Sequence, residues 1–202
     1  MCPGNALEFA ILHEDIAEID ADVVVLKYAQ SFHGADHQIS AILAAHGLLD
    51  RSAMKVEMDE EFIVATNGTI AASHVLFFGL PALWQLRYHH VFEFGQRLVT
   101  SKKIQELQLN RLATTIHGPG VGLDEAAAFL AQLAGIVQAL VRAPSWTIES
   151  IAFVERDAER ARRLKLLFEQ RFHGDDRMQR SRTGSSFSFL PQGLMHPGAR
   201  LA

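Results

Sequence analysis

The stretch ATTIHGPGVGLDE, residues 113–125, contains the pattern from which the fold is predicted. Its first residues, Ala113 to Ile116, form a short apolar and β-branched run that predicts a strand. Three glycines then alternate over five positions, and Asp124 has the residue type and the place of a helix N-cap. The following apolar helix is predicted to stop before Pro144, because proline disfavours the helical conformation of the residue that precedes it. The stretch therefore predicts a strand, a glycine turn and a long helix.

The glycine turn has two interpretations. Gly118, Gly120 and Gly122 allow positive φ and a close backbone approach, so their N–H groups can converge on an anion at the positive end of the helix. The spacing fits neither the P-loop, which places Lys and Ser or Thr after its last glycine, nor the GxGxxG fingerprint. A phosphate-binding loop and a simple tight turn therefore both remain open.

The segment before this stretch begins with two strands and a helix. Residues 7–12 predict a first strand, and the continuous apolar run Asp22–Tyr28 predicts a central strand that is covered on both faces. Asp36 is predicted to cap a helix that ends at Gly47.

Residues 54–58 and 61–65 predict two further strands, with Asn67-Gly68 as a hairpin turn before a strand over 73–78. One helix is predicted from Leu83 to Lys103. The last strand is expected over 148–154, and Asp157 is predicted to cap the final helix.

Strands that alternate with helices around a central hairpin predict an α/β fold, a three-layer α/β/α sandwich with a mixed, mostly parallel sheet. We expect this domain to span residues 1–173. Residues 174–202 are rich in Gly, Ser, Arg, Gln and Pro, and we expect them to form a C-terminal tail that is flexible or docked through Phe187, Phe189 and Leu190. Because ligands collect beyond the carboxyl ends of parallel strands, four segments are predicted at one rim: 27–34, 79–83, 117–122 and 155–157.

Composition excludes several classes of function. At 202 residues, 49% hydrophobic and 21% charged, the chain suits one folded domain, and its net charge of −4 argues against general nucleic-acid binding. Cys2 is the single cysteine, which excludes a disulfide framework and fits a reducing interior. The N-terminus lacks the pattern of a signal peptide, and no apolar run has membrane-spanning length, so we expect a cytoplasmic protein without membrane contact.

The order of these segments resembles the macro domain, the ADP-ribose-binding module, and its divergent relative at the N-terminus of leucyl aminopeptidases. The markers are Glu14-Asp15-Ile16 before the 22–26 strand, the loop and helix over 34–47, the strand and Gly-Leu-Pro over 75–81, the loop and helix over 117–127, and the strand and helix over 148–162. The likeness covers roughly residues 7–172, and it rests on the order of the five markers.

The resemblance implies a ligand site at the rim. Asp15 matches the carboxylate that accepts a hydrogen bond from the adenine amino group, and the glycine loop matches the segment that wraps the diphosphate and the distal ribose. Arg156 falls near the place of the aromatic residue that stacks on adenine. The implied ligand-binding residues are Asp15, Ile16, Lys27, Gly34, Gly118, Gly120, Val121, Gly122 and Arg156.

The chain also departs from the family pattern. The Asn-Ala-Ala-Asn segment of active hydrolases is matched by Leu26-Lys27-Tyr28-Ala29, and the run of glycines in the first loop is reduced to Gly34. These losses favour the aminopeptidase branch and a non-catalytic module that binds a nucleotide of the ADP-ribose or NAD type, without a cofactor. The alternative is a degenerate scaffold for assembly or regulation, through a protein partner or a homo-oligomer.

A third hypothesis concerns the ten histidines of the chain. His33, Asp36 and His37 lie close together in the first rim loop, and His117 is expected opposite them, which would suit a hydrolytic metal site. Because no His-x-x-x-His lies on a predicted helix and no cysteines are near, we predict no metal.

Overall fold

The computed structural model describes residues 6–143, 146–175, 178–180 and 186–189, without the side chains of residues 178 and 180. Within these residues it contains one eight-stranded sheet of order β3-β4-β2-β5-β6-β1-β8-β7. The bounds are β1 Leu7–His13, β2 Val23–Tyr28, β3 Glu61–Ala65, β4 His74–Gly79, β5 Arg111–Thr114, β6 Ser150–Glu155, β7 Met178–Arg180 and β8 Ser186–Phe189. The five strands β4, β2, β5, β6 and β1 are parallel, while β3, β8 and β7 pair antiparallel at the two edges.

Helices cover both faces of the sheet. Their bounds are α1 Ala35–Ala45, α2 Tyr88–Thr100, α3 Lys102–Glu106, α4 Glu125–Arg142 and α5 Ala158–Arg171. One core cluster joins the sheet to α2, α3, α4 and α5, and a second joins the opposite face to α1 and the loops around it. The predicted three-layer sandwich with a mixed, mostly parallel sheet is confirmed.

The central strand β2 shows why the sheet is covered on both faces. All six of its residues are buried. Val23 and Val25 belong to the core cluster under α2 and α4, whereas Val24 and Leu26 belong to the cluster under α1. Side chains alternate between the faces of a strand, so an unbroken apolar run fills both cores.

The helix after the glycine loop is the core of one layer. Asp124 caps it as predicted, since its Oδ1 accepts the Ala127 N–H at 2.9 Å. A Cβ on Gly95 of α2 would lie 2.0 Å from the Gln132 carbonyl oxygen, so the two helices approach backbone to backbone. By length and composition alone α4 is apolar enough to cross a membrane, contrary to the sequence-based expectation, but here it packs against α2.

Three of the predicted elements are wrong in detail. Residues 54–58 are not a strand. The Tyr28 hydroxyl donates to the Met54 carbonyl at 2.9 Å, and the buried side chains of Met54 and Val56 pack in the core although their backbone pairs with no described strand. The single helix over 83–103 is a short 3₁₀ turn at Leu83–Gln85, then α2 and α3, because Leu86 and Ser101 are not helical.

Asp36 is the third correction, because it lies inside α1 and caps nothing. The N-cap is Gly34, without a side-chain cap. The hairpin turn is confirmed: Asn67 and Gly68 have φ of 51° and 81°, and Thr69 N–H donates to the Thr66 carbonyl at 3.0 Å.

The described part of the C-terminal segment adds strands β7 and β8. Strand β8 pairs antiparallel with β1, and its Phe187 and Phe189 are buried, with the Phe187 ring 4.6 Å from that of Phe168. Leu190, the third residue of the predicted docking cluster, lies outside the described residues. The domain boundary at residue 173 stays a prediction.

Candidate functional site

A cleft of about 680 Å³ opens at the carboxyl ends of the parallel strands, where the sequence predicts the rim. Strand β2 supplies Lys27, the loop and first turn of α1 supply residues 33–38, and the segment after β5 supplies residues 115–121. Glu155, Arg156 and Arg160 follow β6 at one end, and Leu83 follows β4 at the other. All four predicted rim segments therefore contribute to one cleft.

The glycine loop, defined as residues 117–122, forms one wall. Gly118, Gly120 and Gly122 have φ of 111°, 87° and 94°, which side chains with a Cβ rarely adopt. A Cβ on Gly118 would also lie 2.6 Å from Leu123 Cδ1. Among the described residues, the N–H groups of Gly118 and Gly120 donate to no acceptor. The loop thus presents unpaired backbone donors.

A buried glutamine on α4 holds the start of this loop. The Gln132 amide donates to the Thr115 carbonyl at 3.2 Å, and its Oε1 accepts the His117 N–H at 3.3 Å. The His117 ring packs edge-on against Phe94 with centroids 4.2 Å apart. Gln132 is fully buried, so it fixes the turn from within the core.

His117 itself is buried and uncharged. Burial is the larger cause, and the nearby Lys27 ammonium the smaller, of a pKa well below the ordinary value of histidine. Its Nε2 has no hydrogen-bond partner among the described residues. The loop therefore begins with a neutral imidazole beside a cation.

The opposite wall, which we call the α1 wall, consists of residues 34–38. Gly34 has φ of 67°, and α1 begins there without a side-chain cap, so the first N–H groups of the helix border the cleft. Asp36 accepts the Lys27 Nζ at 2.5 Å through Oδ1 and the His33 N–H at 2.6 Å through Oδ2. Lys27 and Asp36 are both buried and form an ion pair in the cleft.

Asp15 lies at the end of the cleft between β1 and α1, but it does not line the open space. Gln38 Nε2 donates to both of its carboxylate oxygens at 3.1 Å, and Arg156 Nη1 lies 3.6 Å from Oδ2. Burial acts to raise the pKa of Asp15, but the Ala17 N–H, the Gln38 amide and Arg156 outweigh it, so the pKa is lowered. Arg156 also donates to Gln38 Oε1 at 3.2 Å.

Arg160 connects the start of α5 to two other elements at the same end of the cleft. Its Nε lies 2.6 Å from Glu125 and its Nη1 lies 3.1 Å from Glu155. Glu125 also pairs with Arg163 at 3.1 Å. These contacts tie the first turn of α4 to β6 and α5.

The structure brings together most of the residues that the resemblance implied. Those that line the cleft are Ile16, Lys27, Gly34, Gly118, Gly120, Val121 and Arg156. Gly122 lies in the loop without lining the open space, and Asp15 lies behind Gln38. Their roles in binding stay predictions.

Gln38 and Gln132 are the polar side chains that sequence reasoning missed. Gln38 is 23 positions from Asp15, and Gln132 is 17 positions from Thr115, so no local pattern connects either pair. For Asp36 the sequence predicts only an N-cap or a metal ligand, and not the ion pair with Lys27. A lysine ending a buried strand was the available signal, because a buried ammonium requires a carboxylate partner.

The histidines proposed for a metal site have other partners. His33 Nε2 is 2.6 Å from the Ser31 hydroxyl, and His37 Nδ1 accepts from Arg51 at 3.0 Å. Within the described ranges there is no group of three or more His, Cys, Asp or Glu that could hold a metal ion.

No protein-family model matches the sequence, and no curated protein matches it. Solved macrodomains are similar in structure. The macrodomain of Trypanosoma brucei in complex with ADP has a TM-score of 0.61 at 11% identity, over 80% of this chain and 67% of that chain. The macrodomain of Oceanobacillus iheyensis with ADP has a TM-score of 0.60 at 14% identity, over 83% of this chain and 92% of that chain.

A mutant of the Oceanobacillus iheyensis macrodomain with ADPR has the same TM-score of 0.60, at 14% identity, over 83% of this chain and 94% of that chain. These neighbours do not address the leucyl aminopeptidase branch, which stays a prediction. At such low identity the similarity concerns architecture: the protein has the macrodomain fold.

Proposed function

We propose that the protein is a non-catalytic module that binds a nucleotide of the ADP-ribose or NAD type in the cleft. One observation carries the proposal: Gly34 at the uncapped start of α1 and Gly118 and Gly120 in the glycine loop face one cleft, with backbone donors that no acceptor among the described residues uses. A volume of about 680 Å³ lies within the range of about 300–1,000 Å³ typical of small-molecule sites. Structural neighbours that contain ADP or ADPR support the class of ligand.

In this proposal the diphosphate lies between the two sets of N–H groups. The helix N-terminus and the loop amides suit an anion without a cationic side chain. Lys27 adds little free charge, because Asp36 neutralises it at 2.5 Å. The base lies at the Asp15 end, where the carboxylate accepts from an amino group once Gln38 has moved aside.

The arrangement around Lys27 supports the absence of catalysis. The resemblance places amide side chains of hydrolases at the end of this strand, where the chain has Lys27. Both Asp36 oxygens are engaged, one by Lys27 and one by the His33 N–H. A carboxylate whose two oxygens are both engaged in this way must give up one of these bonds before it can accept a proton from a substrate.

A scaffold without a nucleotide is the second candidate, and one observation favours it. The carboxylates of Asp15 and Asp36 are satisfied by Gln38 and Lys27 of the same chain. The open space beside them favours the first candidate, because a cleft that had become structural would be filled. A protein partner, a homo-oligomer and a cytoplasmic location all stay predictions.

A thermal-shift titration with ADP-ribose, ADP, NAD and AMP tests the proposal. A ligand that binds only the native state stabilises it by about 2.7 kcal/mol at a hundredfold excess over Kd. We expect a saturable shift with ADP-ribose and little with AMP, which lacks the diphosphate. Gly118→Ala should abolish the shift. Gly174→Ala is the control and should preserve it, because Gly174 also has a positive φ, of 77°, but has open space around it.

The absence of any shift at millimolar ligand would contradict nucleotide binding and favour the scaffold. Sedimentation of the same samples then shows whether the protein forms a stable oligomer. An equal shift with AMP would mean that the glycine loop contributes nothing to affinity.

A further inference from the structure

A second groove, which we call the Arg51 groove, lies beside the cleft. It has a volume of about 880 Å³ and is lined by residues of the segments 28–32 and 51–57. Ser31 and Phe32 line this groove, while the next two residues, His33 and Gly34, line the cleft. A single loop therefore separates two adjoining spaces at the rim.

Arg51 is held firmly in the wall of this groove. Its Cζ lies 5.2 Å from the centroid of the Phe32 ring. That ring is fixed in turn by edge contacts with Tyr28 and Phe77, at 5.1 and 5.7 Å. Arg51 Nη2 donates to His37 Nδ1 at 3.0 Å. The guanidinium is thus oriented by an aromatic stack and a hydrogen bond before any ligand arrives.

The charge of Arg51 has no counterpart. Within the described part of the chain it forms no ion pair at 4.0 Å or less, and its Nε is buried without a hydrogen-bond partner. His37 accepts this bond through a ring nitrogen and brings no negative charge. A partly buried guanidinium is normally paired with a carboxylate or a phosphate, and a buried donor without an acceptor destabilises the protein.

Lys55 gives the groove a second cation. It is exposed, and it makes no hydrogen bond or ion pair with another described residue. Glu57 is the acidic residue of the lining, and no ion pair joins it to Arg51 or Lys55. Two cations against one carboxylate leave the groove positive in a chain whose net charge is −4.

We propose that the Arg51 groove is a second binding site, which takes the phosphoryl group of a ligand. Arg51 Nη1, which makes no hydrogen bond with another described residue, donates to one phosphate oxygen. Lys55 contributes a charge-assisted contact, and the Phe32 stack preorganises the guanidinium. The phosphoryl group belongs either to a separate molecule or to a group that extends across the 31–34 loop from the cleft. This site goes beyond the nucleotide proposal and does not depend on it.

The test is an NMR titration of the ¹⁵N-labelled protein with inorganic pyrophosphate, observed at the Arg51 Nε–H and the Ser52 amide. We expect saturable shifts of both signals at millimolar pyrophosphate. Arg51→Gln should weaken the response at Ser52 by about tenfold or more, as the loss of a charge-assisted hydrogen bond predicts. Lys55→Gln should weaken it about two- to fivefold, because an exposed charge contributes less.

Lys102→Gln in α3 is the matched control, since it removes an exposed lysine outside the groove and should leave the affinity unchanged. Unchanged Arg51 and Ser52 signals would overturn the proposal, as would equal weakening by Lys102→Gln, which would indicate general charge attraction. The amide signals of Gly34 and Gly120 report on the cleft in the same spectra, so failure of either site is visible separately. Persistence of the pyrophosphate response at saturating ADP-ribose would assign the phosphoryl group to a separate molecule.

Discussion

The two walls of the cleft satisfy their polar groups in different ways. In the glycine loop, the N–H groups of Gly118 and Gly120 and the Nε2 of His117 have no hydrogen-bond partner among the described residues. In the α1 wall, Asp36 pairs with Lys27 and Gln38 binds Asp15. A ligand finds free backbone donors in the loop and at the start of α1, but it must compete with existing bonds at the side chains of the α1 wall. Affinity for the diphosphate should therefore depend on the backbone donors, and selectivity for the base on the side chains of the α1 wall.

The largest expected effect comes from breaking the buried pair of the α1 wall. Asp36→Ala leaves the Lys27 ammonium buried without its carboxylate, and we expect the free energy of unfolding to fall by about 3–5 kcal/mol. Replacing both residues, as in Lys27→Met with Asp36→Leu, should recover most of this loss, because no charge then remains buried. Urea unfolding of the wild type and of these two variants measures the effect. A loss below about 1 kcal/mol in Asp36→Ala would mean that solvent already screens the pair.

A smaller, pH-dependent effect on stability is predicted for His117 at the start of the glycine loop. The pKa of His117 lies well below that of an unfolded histidine, because of burial first and Lys27 second. Below about pH 6.5 the unfolded chain therefore binds a proton that the folded protein does not, so stability falls as the pH is lowered. Between the pKa of the unfolded and that of the folded state, His117 changes the free energy of unfolding by at most about 1.4 kcal/mol per pH unit.

Urea unfolding over a pH series, with wild type and His117→Gln, measures that contribution. The variant should lose the slope, while His173→Gln, which removes an exposed histidine, should keep it. An unchanged slope in His117→Gln would show that the imidazole becomes protonated in the folded protein, with water or a rearranged loop supplying a partner for Nε2.

The same contrast explains what the sequence could predict. The glycine loop is specified locally: φ of 87–111° strongly favours glycine, a helix start favours aspartate, and both stand next to a β-branched run. The α1 wall is assembled over distance, since Gln38 lies 118 positions from Arg156, which donates to it. The N-cap prediction for Asp36 failed for this reason, because its residue type fitted a local role while its carboxylate had a stronger partner in Lys27. The alternation of strands and helices predicted the three layers, whereas the order of the strands in the sheet could not be read from it. The break at Ser101 depends on a tertiary contact with Glu61.

The smallest predicted effect is a change in ligand affinity that tests the different roles of the two walls. Gln38→Ala removes the amide that occupies both oxygens of Asp15, at a cost in stability of about 0.5–1.5 kcal/mol. If the base is read by Asp15, the ligand no longer has to displace Gln38, and the affinity for ADP-ribose should rise up to about fivefold, the equivalent of about 1 kcal/mol. Affinity for pyrophosphate at the glycine loop should not change.

Calorimetry with both ligands checks this, and Gln96→Ala is the matched control, because it breaks a similar glutamine hydrogen bond to Gln138 at 2.8 Å between α2 and α4. A fall in ADP-ribose affinity confined to Gln38→Ala would mean that Gln38 itself contacts the base. The α1 wall would then contact the base directly through Gln38. The hydrogen bond from Gln38 to Asp15 would orient the amide for the ligand instead of competing with it.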